Sequence, residues 1–234
     1  MLENQMSRRQ FLSFAGAAAV AGLGLVGCGG TSAGTEATAG DALSGTVNCS
    51  GATSFQKLVE AAATNFMDAN PDVTIAITGG GSGQGLSDVK DGKAQIGRSD
   101  VFAEEKLDAT DAKKLEDHTV AVVGMGPIVN SKVDVDDLTT EQLKGIFTGK
   151  ITDWKEVGGT AGKIQVIERK AGSGTRATFE AAVLGGEKAP DDFVPVAEED
   201  SSGTVVDKIQ QTEGAISYLA FSYYDDTKFR ALKV

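Results

Sequence analysis

The chain has 234 residues, of which 41% are hydrophobic and 6% aromatic, and it carries 30 glycines. That is enough chain to bury a core, as one large domain or two small ones. The formal net charge of −11 argues against nucleic acid as a partner, because a phosphate backbone is gripped by clustered Lys and Arg.

The first residues read as an export signal and not as fold. Arg8 and Arg9, in Ser-Arg-Arg-Gln-Phe-Leu12, precede the uncharged apolar run Phe14–Val26. That run is shorter than the ~20 residues a bilayer-spanning helix needs and suits a signal-peptide core. The motif resembles a twin-arginine signal, and Leu25-Val26-Gly27-Cys28 resembles a bacterial lipobox. Together they imply a signal peptide over residues 1–27, cleavage before Cys28 and lipidation of Cys28. The protein is then expected on the outer face of a bacterial cytoplasmic membrane, held by lipid. An uncleaved anchor helix is the alternative. Residues 28–45 are small and polar and are expected to be a flexible tether. If Cys28 carries lipid, Cys49 has no disulfide partner, and its place in the strand-like Thr46–Cys49 suggests a buried structural thiol.

Beyond the tether, short strands alternate with helices, which predicts an α/β fold. Thr46–Cys49 is expected to be a strand. Ser54–Ala69 is expected to be a helix with Phe55, Leu58, Val59, Ala62 and Phe66 on one face, stopped by Asn70-Pro71. Val73–Thr78 alternates strictly and predicts a strand. A glycine loop follows, then a short helix over Gly85–Asp91 and strands at Ala94–Gly97 and Thr119–Val123. A second unit is expected from Pro127, with helices at Thr140–Phe147, Gly174–Leu184 and Val205–Gln211 and strands at Lys163–Ile167 and Ala215–Leu219. With no long linker between them, the units read as two lobes: 44–126 plus 217–234, and 127–216.

Three turns share one design, in which a strand runs through Gly with Ser or Thr into a helix. They carry Thr53 and Ser54; Ser82 within Gly79–Gly85; and Ser173, Gly174 and Thr175. A helix start leaves backbone N–H groups unpaired, and glycine lets an anion approach them, so each turn is a candidate oxyanion cradle. Ordinary capping by Ser and Thr is the competing reading of any one turn. Arg169, at the end of a strand and just before the third turn, is placed to give an anion a charge-assisted, bidentate contact, with a surface salt bridge as the competing reading. Asp100 follows a strand in Ile96-Gly-Arg-Ser-Asp100, where a turn or cap role is the competing reading. A carboxylate repels a fully ionised anion but accepts a hydrogen bond from one that keeps a proton, as phosphate does near neutral pH and sulfate does not.

Enzymatic readings are weaker. A Ser-His-Asp hydrolase built on Ser82 or Ser173 would need the one histidine, His118, as its base. The glycine loop fits neither a nucleophile elbow nor a dinucleotide fingerprint. Gly158–Lys163 is one residue short of a P-loop and lacks Ser or Thr after the Lys. No Cys/His cluster suggests a metal, and no cofactor is expected. Trp154 is expected to pack.

The turns, in this order, resemble the substrate-binding proteins of bacterial phosphate ABC transporters, over about residues 44–234. Leu138–Trp154 is similar to the family's second-lobe signature, Arg169–Thr175 to its phosphate loop, and Glu213–Tyr218 to the segment leading back to the first lobe. The resemblance implies a two-lobed periplasmic-binding-protein-like fold of mixed sheets flanked by helices, closing on phosphate about a hinge. It implies a monomer that performs no chemistry and delivers inorganic phosphate to a permease with its ATPase. Thr53, Ser54, Ser82, Ser173, Gly174 and Thr175 would donate to the anion, Arg169 would pair with it, and Asp100 would accept its proton. The same fold binding sulfate, molybdate or tungstate is the nearer alternative, and an exported serine hydrolase or phosphatase the more distant one. Two departures stand out. Arg98 occupies a place where a smaller or neutral residue is expected, and the family continues several dozen residues past the position of Val234, adding them to the first lobe.

Overall fold

The computed structural model describes residues 42–186 and 189–234. The twin-arginine motif, the run Phe14–Val26, Cys28 and most of the tether lie outside the described residues. Among the described residues no helix is long and apolar enough to cross a membrane.

Two sheets organise the described residues. The first is three-stranded and parallel, in the order β2-β1-β3, with β1 Gly45–Gly51, β2 Val73–Thr78 and β3 Ile96–Arg98. Parallel neighbours need a crossover, and the helices α1 Gln56–Ala69 and α2 Gly81–Lys90 supply the two that are required. The short helix α3 spans Ala109–Ala112. The second sheet has the order β6-β5-β7-β4-β8, with β4 Met125–Val129, β5 Gln165–Arg169, β6 Ala197–Glu199, β7 Ala215–Ala220 and β8 Arg230–Ala231. β5 runs parallel to β6 and β7, while β4 is antiparallel to β7 and β8. Its helices are α4 Thr140–Phe147, α5 Gly174–Phe179, which continues as a π turn over Glu180–Leu184, and α6 Ser202–Gln211.

Local chemistry accounts for these elements. α4 opens on a capping box, in which Gln142 N donates to Thr139 Oγ1 at 3.2 Å and Thr139 N donates to Gln142 Oε1 at 2.8 Å. It buries Leu143, Ile146 and Phe147. α6 is capped by Ser201, whose Oγ accepts from Thr204 N at 3.1 Å, and it buries Val205, Val206 and Ile209. The larger core lies under the second sheet. There Phe179 stacks on Tyr218 with centroids 4.0 Å apart, and Phe147 meets Phe179 edge-on at 4.7 Å. Trp154 is buried in the same cluster and donates Nε1–H to Gly214 O at 3.0 Å. The first sheet gathers a smaller cluster of Leu86, Ala103 and Ala112.

Four expectations shift. α2 starts at Gly81, four residues ahead of the predicted Gly85, so the glycine loop is half helix. Its glycines permit close packing: a Cβ on Gly85 would lie 2.7 Å from Arg98 O and 2.8 Å from Gly51 Cα. Among the described residues Thr119–Val123 pairs with no strand, and Val122 is 95% exposed, so its apolar, β-branched run is matched by neither pairing nor burial. Leu58, on the predicted inner face of α1, is 50% exposed. Finally, residues 217–220 and 230–231, assigned from the sequence to the first lobe, pair within the second sheet. All six residues of β7 are buried between β5 and β4, as a strand covered on both faces requires. The short turn Phe221–Tyr223 then reaches back to α1, where Ser222 Oγ donates to Ser54 O and Lys57 Nζ donates to Ser222 O at 3.3 Å.

Candidate anion-binding site

The carboxyl ends of parallel strands are where open α/β sheets bind ligands. β1, β2 and β3 end at Gly51, Thr78 and Arg98, just before Thr53–Ser54, Gly79–Ser82 and Asp100 respectively. From the second sheet, β5 ends at Arg169 and runs into Ser173–Thr175, and β6 runs into Ser201–Ser202.

These loops meet across a seam. Asp100 accepts from both sides, taking the Ser54 hydroxyl on Oδ1 and the Thr175 hydroxyl on Oδ2 at 2.9 Å. Its own N–H donates to Ser82 Oγ at 2.9 Å. Gly83 N donates to Gly172 O at 3.0 Å. Thr53 Oγ1 accepts from Ser202 N at 3.0 Å and lies 3.2 Å from Ser202 Oγ. Ser54 and Ser82 are fully buried. The approach is so close that a Cβ on Gly174 would fall 2.1 Å from Ser82 Oγ and 2.9 Å from Asp100 Cβ. On the other side, Gly80 and Gly81 take φ of +137° and +80° to swing Ser82 inward.

Capping explains only part of the set. Ser173 Oγ does cap α5, accepting from Arg176 N at 3.2 Å. Neither α1 nor α2 has a side-chain cap; the Thr53 hydroxyl instead meets Ser202 across the seam, and those of Ser54 and Ser82 meet Asp100 on their own side. Thr53 meets Ser202, which lies 3.5 Å from Arg169 Nη1, and not Asp100.

Arg169 is 1% exposed. It donates Nε–H to Glu199 O at 3.2 Å and Nη2–H to Asp200 O at 3.0 Å, with Nη1 3.5 Å from Ser202 Oγ. Among the described residues it has neutral oxygens and no carboxylate as direct partners. Burial lowers its pKa, and the charges of Asp100 and Asp200 pull against that. Its backbone is fixed by a buried network. Glu168 Oε2 accepts from Arg169 N at 3.1 Å and from Tyr218 Oη at 2.6 Å, and Arg176 Nη1 donates to Arg169 O at 2.7 Å. Burial raises the Glu168 carboxyl, with Tyr218 and Arg176 opposing.

Sequence reasoning missed Ser202 and Glu168. Asp200-Ser-Ser-Gly203 repeats the strand–turn–helix design with little glycine, which is why it did not stand out. Glu168 reads as an ordinary strand charge until its partners are seen. The hydrolase alternative gains nothing here: Ser82 Oγ and Ser173 Oγ each accept a backbone N–H, and His118 is exposed beside Glu116 at 3.7 Å.

The chain resembles known proteins along most of its length. A family model described as a PBP superfamily domain matches residues 36–233. The phosphate-binding protein PstS of Bacillus subtilis is 51% identical over 191 residues, covering 82% of this chain and 62% of that protein. The chain thus spans less than two thirds of that relative. A solved structure of a putative phosphate ABC transporter substrate-binding protein with bound phosphate, from Clostridium perfringens, has 38% identity and a TM-score of 0.72, covering 81% of this chain and 76% of that one. An ABC-type phosphate transport receptor from Vibrio cholerae has 30% identity and a TM-score of 0.56, covering 80% and 76%. Two sheets flanked by helices, hydroxyl-bearing loops meeting at their strand ends, and a family match over most of the chain make this protein a member of the PBP superfamily.

Proposed function

We propose that this protein captures inorganic phosphate outside the cytoplasm and delivers it to an ABC-type importer. The observation that carries the reading is Asp100, one carboxylate set among hydroxyl and N–H donors that come from both sheets. Such a site suits an anion that can itself donate one hydrogen bond. Sulfate, molybdate and tungstate bring no proton at neutral pH and would meet repulsion from Asp100 in place of a hydrogen bond. The names of the Bacillus subtilis and Clostridium perfringens relatives support the same ligand.

In this reading the anion enters the seam, and the Ser54 and Thr175 hydroxyls turn from Asp100 to its oxygens. Thr53, Ser82, Ser173 and the Gly174 N–H add donors, and Arg169 gives the charge-assisted contact. A net charge of −11 does not draw anions from afar, so binding rests on local dipoles and buried cations. The layers act as two lobes, 44–126 and 127–216, with the segment after 217 joining the second sheet before touching α1. Lipid at Cys28 holds the monomer at the membrane, and a permease with its ATPase receives the closed form. The protein binds and performs no chemistry.

Calorimetric titration of the full chain tests this. Phosphate is expected to bind far more tightly than sulfate. Asp100→Asn is expected to lose about 10- to 100-fold in phosphate affinity, the range for a hydrogen bond to a charged group. A folded protein that ignores phosphate, or binds sulfate equally well, contradicts the reading.

A further inference from the structure

A second buried arginine lies at the same strand ends. Arg98 closes β3 and is 2% exposed. Its Nη2 donates to Thr78 O at the end of β2, while among the described residues Nε and Nη1 are buried without a hydrogen-bond partner. The side chain therefore crosses the end of β1, where Arg98 pairs with Gly51 and its carbonyl accepts from Ala52 N at 2.9 Å. Among the described residues no carboxylate lies within ion-pair distance of it. Its charge is felt by Cys49 from β1 and Tyr223 from the turn after β7. Burial and Arg98 act oppositely on the Cys49 thiol, and burial wins. Arg98 and Arg169 both act on the Tyr223 hydroxyl, against burial and Glu60. A buried guanidinium without a counter-charge is costly, so its retention calls for an anion nearby.

The path from Arg98 to the seam is short. Thr78, its partner, precedes Gly79, on which a Cβ would meet Thr53 Cγ2 at 3.2 Å. Asp100, the seam's acceptor, follows Arg98 by two positions. We propose that Arg98 is a second charge determinant of anion affinity, acting from behind the Thr53–Ser54 turn without touching the ligand, and that it favours the dianionic form of phosphate. This rests on the phosphate reading above. The argument is Coulombic. A through-space interaction scales with ligand charge, whereas a lost hydrogen bond or a disturbed loop does not. Surface carboxylates act oppositely but are screened beyond a Debye length of ~10 Å, and a buried cation is screened much less.

The test titrates the full chain with phosphate, well below and well above the second ionisation of phosphate, for wild type and Arg98→Met. The comparison is of variant with wild type at each pH, so changes common to both proteins cancel. For a separation on the order of 10 Å at an effective dielectric near 20, the loss is about tenfold per unit of ligand charge. Arg98→Met is thus expected to weaken the monoanion about tenfold and the dianion about a hundredfold. Arg98→Gln keeps a donor for Thr78 O and serves if Arg98→Met does not fold, which thermal melting reports. Equal losses at both pH values, no loss, or failure of both variants to fold overturns the proposal and leaves Arg98 a structural residue. Wild type that binds no phosphate at either pH overturns the phosphate reading itself, and this one with it. Tight wild-type binding with an indifferent Arg98 overturns this one alone.

Discussion

Glu168 shows how one residue sets the geometry of the next. Its carboxylate holds the Arg169 backbone and the Tyr218 hydroxyl, and burial raises its pKa above the ordinary carboxylate value. A raised carboxyl favours the native state while protonated, and that contribution is lost as pH rises through the folded-state pKa. Glu168→Gln keeps an acceptor and removes the titration. Its melting temperature relative to wild type is therefore expected to climb as pH rises above the ordinary carboxylate range, and thermal melts across a pH series check this. A difference that falls with rising pH contradicts the assignment. At this scale the sequence told most about residues that fall in a pattern. Asp100 and Arg169 were legible only as members of a set, because alone an Asp suits an ordinary turn and an Arg a surface salt bridge. Ser202 and Glu168 were not legible, because a serine at a helix start and a glutamate in a strand are common, and only their partners mark them.

The elements that build the seam depend on glycines whose role is space. Gly174→Ala places a methyl carbon on Ser82 Oγ and against Asp100. The protein is expected to fold, because Gly174 heads a helix that alanine favours. The loops are then held apart, and phosphate affinity is expected to fall at least about tenfold, in line with the loss of one charge-assisted hydrogen bond. Unchanged affinity would show that the seam does not close around the ligand. Helices with a strong apolar period, such as α4 and α6, were legible to within a few residues. The start of α2 was not, because Gly81-Ser-Gly-Gln-Gly85 has poor intrinsic helix propensity and is helical through tertiary packing against β1 and β3. Thr119–Val123 failed in the opposite sense, since a short apolar, β-branched run forms a strand only where a partner strand exists.

The whole molecule divides its stability unevenly. The second sheet carries the aromatic cluster of Phe147, Phe179 and Tyr218, while the first gathers only Leu86, Ala103 and Ala112 as its buried cluster. Phe147→Ala is expected to cost about 3–5 kcal/mol, read as a lower denaturation midpoint, whereas Ala112→Gly is expected to cost about 1 kcal/mol. Comparable losses would contradict this division. The assignment of each segment to its sheet was the least legible feature. β7 is apolar throughout, and nothing in Ala215–Ala220 says which strands will cover it. The central claim is that one anion is held by donors from both sheets. Amide hydrogen exchange with and without phosphate tests it most directly. The account predicts slowed exchange at Ser54, Ser82 and Gly83 on one side and at Gly174 and Thr175 on the other, appearing together at one phosphate concentration. Protection confined to one side, or found away from the seam, would contradict it.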